Sequence, residues 1–325
     1  MRAYAAKHKD SSIVNHSRSG GIFIALAESV LSRSGAVYGC ILDRAFVAVH
    51  SRAVSINELK AMRGSKYVQS ALGNTFRMVR EDVVAGRPVL FSGTSCQIDG
   101  LRSFLQKDYE NLLCVDIACY GVPSPKLWQK YLEWQSKGKP IIAVDFRNKQ
   151  KYGWRDSVET IMIEDQEIDS RVWSRIFYSR NALRPCCYEC HYKSIHHPGD
   201  ITLADFWGIE NAAPEFDDNK GVSLVLINSD KGALFFEKIK QNLFWKETRI
   251  EDAMQPVFIR PSVKPKSRER FWRDYEARGF DYIVKKYVGP VPRWRRLVQK
   301  VKRTINKVWP FDRSDSSKGQ AVTRK

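Results

Sequence analysis

No stretch of the 325-residue chain holds the roughly 18 to 20 uninterrupted apolar residues that a membrane-spanning helix needs. The best run, Gly20 to Val30, is broken by Glu28 and suits a core helix. The first residues, Met1 to Lys7, lack the apolar centre of a secretory signal, so the chain reads as cytoplasmic. Nineteen glycines and thirteen prolines are too few for a collagen-like or low-complexity protein, and an apolar fraction of 43% excludes a mainly disordered one. There is no internal repeat, no convincing Ser-His-Asp set or carboxylate pair, and no reader motif for nucleic acid, so no nucleic-acid partner is expected.

Charge is present in excess and unevenly spread. The chain carries 54 Lys and Arg against 36 Asp and Glu, a net of +18. Residues 285–325 hold 13 of the bases and 2 of the acids, so most of the surplus belongs to the tail. There Trp294, Leu297, Val298, Val301, Ile305 and Val308 recur at steps of three and four, with Arg295, Arg296, Lys302, Arg303 and Lys307 largely off that stripe. This pattern predicts a basic amphipathic helix ending at Pro310. Two readings of it stand: a stripe packed on the body, or residues 291–309 lying on an anionic membrane surface or an acidic partner. The second would make the protein peripheral at the inner face of the membrane.

Along the body, Arg87–Ser92 reads as a buried strand followed by a loop holding Cys96 and a helix over Ile98–Leu105. Asn111–Ala118 reads as the next strand, then a loop with Cys119 and a helix through Trp134. That rhythm is a βαβ unit with parallel strands. Val37–Leu42, Phe46–His50, Ile141–Phe146 and Gly221–Asn228 suggest further strands; Ile22–Val30, Ile56–Arg63 and Gly232–Gln241 suggest helices; a looser region begins near Arg260. The expected fold is α/β, a mixed, largely parallel sheet with flanking helices, plus the C-terminal basic amphipathic helix.

Seven cysteines in a reducing compartment point to ligands or core thiols rather than disulfides. Cys187 and Cys190 form a Cys-x-x-Cys, whose spacing lets two thiolates converge. A zinc ribbon would want a second such pair, and none exists. Cys96 and Cys119 instead follow predicted parallel strands, and loops at the carboxyl ends of parallel strands share the sheet edge where α/β proteins place cofactors. These four suffice for a [4Fe–4S] cluster, with zinc on the same four as the alternative. Cys40 and Cys114 read as buried small hydrophobes, Cys186 as a substitute for Cys187, and His191, His196 and His197 as solvent-facing.

Six segments occur in the order seen in one family: Ser17-Arg-Ser-Gly-Gly21, Arg63–Ser70, Val89–Gln97, Val115–Pro125, Phe146-Arg-Asn-Lys149 and Asp200–Gly208. The chain resembles the beta subunit of coenzyme F-420 hydrogenases and dehydrogenases over roughly residues 1–262. The resemblance implies an N-terminal family region at 1–82, a C-terminal region with the iron–sulfur ligands at 83–262, and an extension at 263–325. It implies an oxidoreductase that passes electrons between a reduced deazaflavin, coenzyme F-420, or another hydride donor, FAD, a [4Fe–4S] cluster and a redox partner protein. Its cluster cysteines map onto Cys96, Cys119, Cys187 and Cys190. Its N-terminal signatures map onto Ser19, Gly20, Gly21, Ser65, Lys66, Tyr67 and Gln69 as flavin contacts, the helix after Gly21 offering amides to a pyrophosphate. Asp205-Phe-Trp-Gly208 reads as packing rather than cofactor contact.

Three departures stand out. Ser95 occupies the place of a proline before the first cluster cysteine, and Tyr120 that of a histidine after Cys119. No cysteine precedes Cys40, where many relatives carry a ferredoxin-like module, so electrons are expected to leave through a partner. Some bacterial relatives are associated with polysaccharide biosynthesis, and a variant with altered or no redox activity acting at the membrane is the competing reading.

Overall fold

The computed structural model describes residues 1–289; the basic helix expected over 291–309 lies outside them. Eleven strands and twelve α-helices occur among the described residues. The strands are β1 (Arg2–His8), β2 (Ala36–Leu42), β3 (Ala48–Ala53), β4 (Val89–Thr94), β5 (Leu112–Ile117), β6 (Ile141–Asp145), β7 (Glu159–Ile163), β8 (Gln166–Ser170), β9 (Ile201–Asp205), β10 (Ser223–Ile227) and β11 (Leu243–Thr248). The helices are α1 (Ser11–His16), α2 (Ile22–Leu31), α3 (Ile56–Leu59), α4 (Thr75–Val84), α5 (Ser95–Leu105), α6 (Pro125–Ser136), α7 (Lys149–Tyr152), α8 (Val172–Ser179), α9 (Ile209–Ala212), α10 (Asp230–Ile239), α11 (Ile250–Ala253) and α12 (Arg268–Ile283). None is long and apolar enough to cross a membrane.

Eight strands form one mixed sheet in the order β11-β1-β10-β9-β5-β4-β2-β3. Its centre is parallel, β2 to β4, β4 to β5 and β5 to β9, as the strand–loop–helix rhythm predicts. Both flanks are antiparallel, so parallel pairing is confined to four central strands. The opening strand β1 is the main element missed in the sequence. Ala3, Tyr4, Ala5 and Ala6 are all buried, so the segment shows no polar alternation from which a strand could be read. It pairs between β10 and β11, placing strands of the 1–82 and 83–262 regions in one sheet.

Alternation along the central strands sends Leu90, Leu113 and Val115 to one face with α2 and α10, and Phe91 and Cys114 to the other with α4 and α5. Helix α2 has an unusually apolar sequence because its inner turns are buried around most of their circumference. A second unit, the antiparallel sheet β6-β7-β8 with α6, α8 and α12, packs around Trp128, Tyr131, Trp173 and Phe271. Helix α12 rises directly from the stretch expected to be loose.

Candidate functional site

Strands β4, β5 and β9 run in one direction, so their carboxyl ends form one edge of the sheet. Cys96 is not in a loop there: α5 starts immediately after β4, capped reciprocally by Thr94 and Gln97, and Cys96 sits exposed in its first turn. Thr94 Oγ1 lies 3.1 Å from its Sγ. Cys119 lies two residues beyond β5, half-buried. Burial pushes its thiol up to about 12, with Lys193 pulling the other way. Cys187 lies in a short 3-10 turn, Pro185–Glu189, and Cys190 directly follows it. Burial also raises the Cys187 thiol, against a hydrogen bond from the Val122 backbone.

Three ties draw these four residues together. The Arg184 N–H donates to the Val122 carbonyl (3.0 Å) and Pro123 bridges Leu183, fastening the Cys-x-x-Cys turn to the loop after Cys119. Between them Gly121, at φ +134°, leaves no room for a side chain: a Cβ there would stand 2.8 Å from Leu183 Cδ1 and 3.3 Å from Cys187 Cβ. On the far side, Tyr192 donates its hydroxyl to Asp99 (2.6 Å), tying the segment after Cys190 to the helix that carries Cys96. The third tie is buried: Asp116 of β5 accepts from Ser95 Oγ (2.7 Å) and Thr202 Oγ1 (2.6 Å) and pairs with His197 Nδ1 (2.6 Å).

His197 is therefore sealed inside rather than solvent-facing, a correction to the sequence reading. Its neighbours Gly199 and Asp200 lead into β9, which pairs directly with β5, so strand pairing carries the ring inward. Ser95, His197 and Asp116 do come together, but hydroxyl and carboxylate meet the same ring nitrogen. A nucleophile relay needs them on opposite nitrogens. The cluster is a structural lock.

Cys114 is buried in β5, in agreement with a core role; Cys40 is only half-buried, beside Lys66 and against the edge of the second core rather than inside it; Cys186 is exposed. Among the described residues no three His, Cys, Asp or Glu side chains converge on a single metal-ion position. A [4Fe–4S] cluster asks for a different arrangement, one thiolate on each iron around a volume, from a donor set of four cysteines. The donor set of Cys96, Cys119, Cys187 and Cys190 has that chemistry.

The expected flavin residues fall in two places joined by one arginine. Gly20 donates its amide to Ser223 Oγ (2.9 Å) and accepts from the His8 N–H (2.7 Å), so its amide is committed within the protein. Ser19 donates to the Val222 carbonyl (2.6 Å), and Gly21 caps α2 at φ +88°. Ser65 is half-buried in the irregular segment before Tyr67. Lys66 turns its ammonium onto the Ala61 and Arg63 carbonyls (2.9 Å each), and burial lowers its pKa to about 8. Tyr67 packs against Phe146 and Phe177, the Gln69 N–H donates to the Pro123 carbonyl (3.3 Å), and Gln97 bonds Ser70 (3.0 Å), setting this segment against the cysteine loops.

The joining residue is Arg147, which sequence reasoning passed over. It is 5% exposed and donates to Tyr67 Oη (3.0 Å), Asp205 (2.9 Å), and the Trp154 and Asp156 carbonyls. Its own carbonyl accepts from Arg18, and Lys149 two residues on bonds the Ser19 and Val14 carbonyls. Asp205 also accepts from Trp154 Nε1 (3.1 Å), and Trp207, 40% exposed, stacks on the buried Trp154 at 4.8 Å. Asp205 and Trp207 are held by internal packing at the edge that carries the cysteines: Asp205 by Arg147 and Trp154, and Trp207 against the Trp154 ring with the Arg147 guanidinium 5.5 Å from its own. The available signal was the Arg-x-Lys of the Phe146–Lys149 segment, two cations flanked by strand-like residues.

The family model for the C terminus of the coenzyme F420 hydrogenase/dehydrogenase beta subunit matches residues 86–253, just over half of the chain. The chain belongs to that family. Membership makes it an oxidoreductase, and the matched span contains all four cysteines of the edge, with Arg147, Asp205 and His197. A similar solved structure is the xenon-derivatised F420-reducing [NiFe] hydrogenase complex from Methanosarcina barkeri. The matched chain there is 16% identical, with a TM-score of 0.51 over 88% of this chain and 90% of that one. At that identity the likeness concerns the fold. No curated protein matches the chain.

Proposed function

We propose that this family member is a flavin- and iron–sulfur-dependent oxidoreductase subunit, moving electrons between a hydride donor such as reduced coenzyme F-420 and a partner protein. The observation that carries the reading is the triple tie that gathers Cys96, Cys119, Cys187 and Cys190 at the carboxyl edge of the parallel strands. These cysteines would hold the [4Fe–4S] cluster. When bound, FAD and the cluster supply the exchange between two-electron and one-electron transfer. The chain's own residues have other tasks. Tyr67 offers an aromatic face for a planar ring, Arg147 holds it in place, and Asp205 balances the guanidinium charge. The Asp116 lock fixes the start of α5 against β5 and β9. A partner protein is supported by the hydrogenase complex in which the matched fold occurs. For the basic segment 291–309, docking on an anionic membrane surface rests on sequence pattern alone.

The test is anaerobic purification of the full chain with iron, sulfide and flavin quantified beside the visible spectrum. Iron and sulfide in equal amounts, bound FAD and bleaching on reduction are expected. Cys96→Ser, Cys119→Ser, Cys187→Ser and Cys190→Ser should each lose the cluster spectrum, whereas Cys114→Ala and Cys186→Ser retain it. Zinc without flavin would overturn the reading.

A further inference from the structure

Lys193 is buried, 9% exposed, in the loop between Cys190 and β9. A lysine is almost never buried unless its ammonium is paired. Both neighbours of Lys193 are bonded, Tyr192 to Asp99 (2.6 Å) and Ser194 to the His196 carbonyl (3.0 Å). The Lys193 ammonium makes no hydrogen bond or ion pair among the described residues. The carboxylates tied to this loop are already engaged, Asp99 by Tyr192 and Asp116 by Ser95, Thr202 and His197. The loop therefore carries a cation out of water with no anion of its own, a costly arrangement.

The surroundings point to where the missing anion belongs. Ile195, two residues on, and Ala118, which precedes Cys119, pack against the same apolar cluster around Val222 and Leu224. That packing brings the two stretches alongside each other. Burial raises the Cys119 thiol, and the largest influence against it is the Lys193 charge, which favours the thiolate. The Tyr192 tie on one side and the Asp116–His197 pair on the other pin the segment that carries Lys193.

We propose that Lys193 is the counter-charge of the iron–sulfur site, its ammonium set against Cys119 so that the reduced state is favoured. The assignment rests on the cluster reading above. Four thiolates around a [4Fe–4S] core leave a net negative charge, and one-electron reduction adds another. A cation fixed in a poorly solvated wall stabilises the reduced form more than the oxidised one. The electron arrives from the reduced flavin and leaves to the partner protein, and Lys193 stays protonated throughout.

The test is a redox titration of the anaerobically purified full chain with its cluster, read by electron paramagnetic resonance. Lys193→Met removes the charge at nearly constant side-chain length. At the native midpoint potential it should lower the ratio of reduced to oxidised cluster about tenfold, a downward shift of about 59 mV for a one-electron couple. Lys193→Arg should stay near the native potential, and so should Lys238→Met, which removes the same charge from an exposed position on α10. A Lys193→Met potential equal to the native one, or a Lys193→Arg potential as low as that of Lys193→Met, overturns the assignment. Where Lys193→Met lacks the native circular dichroism, Lys193→Gln is read by the same criteria. Loss of the fold in both neutral variants, with Lys193→Arg folded, would show that the ammonium is paired within the chain and overturns the assignment too. Native protein whose cluster is indifferent to Lys193 loses only this assignment; native protein without a cluster loses the redox reading.

Discussion

His197 Nδ1 lies 2.6 Å from Asp116 Oδ2, with both side chains almost completely buried. The pair joins β5 to the loop that follows Cys190, and Ser95, next to Cys96, donates to the same oxygen. A buried carboxylate with three partners resists substitution because any lost acceptor leaves a donor unsatisfied. Asp116→Asn should cost about 2–4 kcal/mol of unfolding free energy. Denaturant titration of the full chain checks this; a loss well under 1 kcal/mol would show that the lock does not hold the edge together.

Arg147 is the corresponding joint on the other side of the site. Its guanidinium meets Tyr67, Asp205 and two carbonyls at once, which a lysine ammonium cannot reproduce. Arg147→Met strands the Asp205 carboxylate and should cost about 3–5 kcal/mol. Arg147→Lys should recover part of this. Thermal unfolding of both variants distinguishes the outcomes; equal stability of the lysine variant and the native chain would contradict the planar-fork argument.

Glycines offer an internal contrast. A Cβ on Gly20 would stand 2.2 Å from the Ala6 carbonyl oxygen, so the backbone of the loop or of β1 must move. Gly20→Ala should therefore destabilise by about 3 kcal/mol or more. In α5, a Cβ on Gly100 meets only Phe76 at 3.6 Å, and Gly100→Ala should stabilise by about 0.5–1 kcal/mol. Opposite signs from the two alanine variants in one denaturation series are the expected result.

Lys66 predicts a pH effect. Burial lowers its pKa from 10.5 to about 8, with Cys40 and Asp145 opposing. Between those values the unfolded chain binds more protons than the folded one, so stability rises with pH. The native chain should gain up to about 3 kcal/mol relative to Lys66→Met between pH 8 and 10.5, and the difference should be flat below that window. Stability measured across this range on both proteins decides it; a difference that falls with pH would show that the ammonium is stabilised where it sits.

Much of the frame was legible in the sequence. Strand–loop–helix rhythm around β4 and β5 implied parallel pairing, because crossover helices bury both faces of such strands and leave short continuous apolar runs. The ordered motifs pointed to the family, and residue type and spacing marked the four edge cysteines. Other features left no local trace. The uniformly buried β1 carries no alternation, and Cys96 moved into a helix because the Thr94–Gln97 cap starts α5 one residue after β4. Tertiary structure alone decided that His197 is buried against Asp116, and that Arg147, far along the chain from Ser19 and Tyr67, unites their segments. Local patterning depends on neighbours three or four residues away, whereas these contacts depend on strand order, which packs together residues 80 to 129 positions apart.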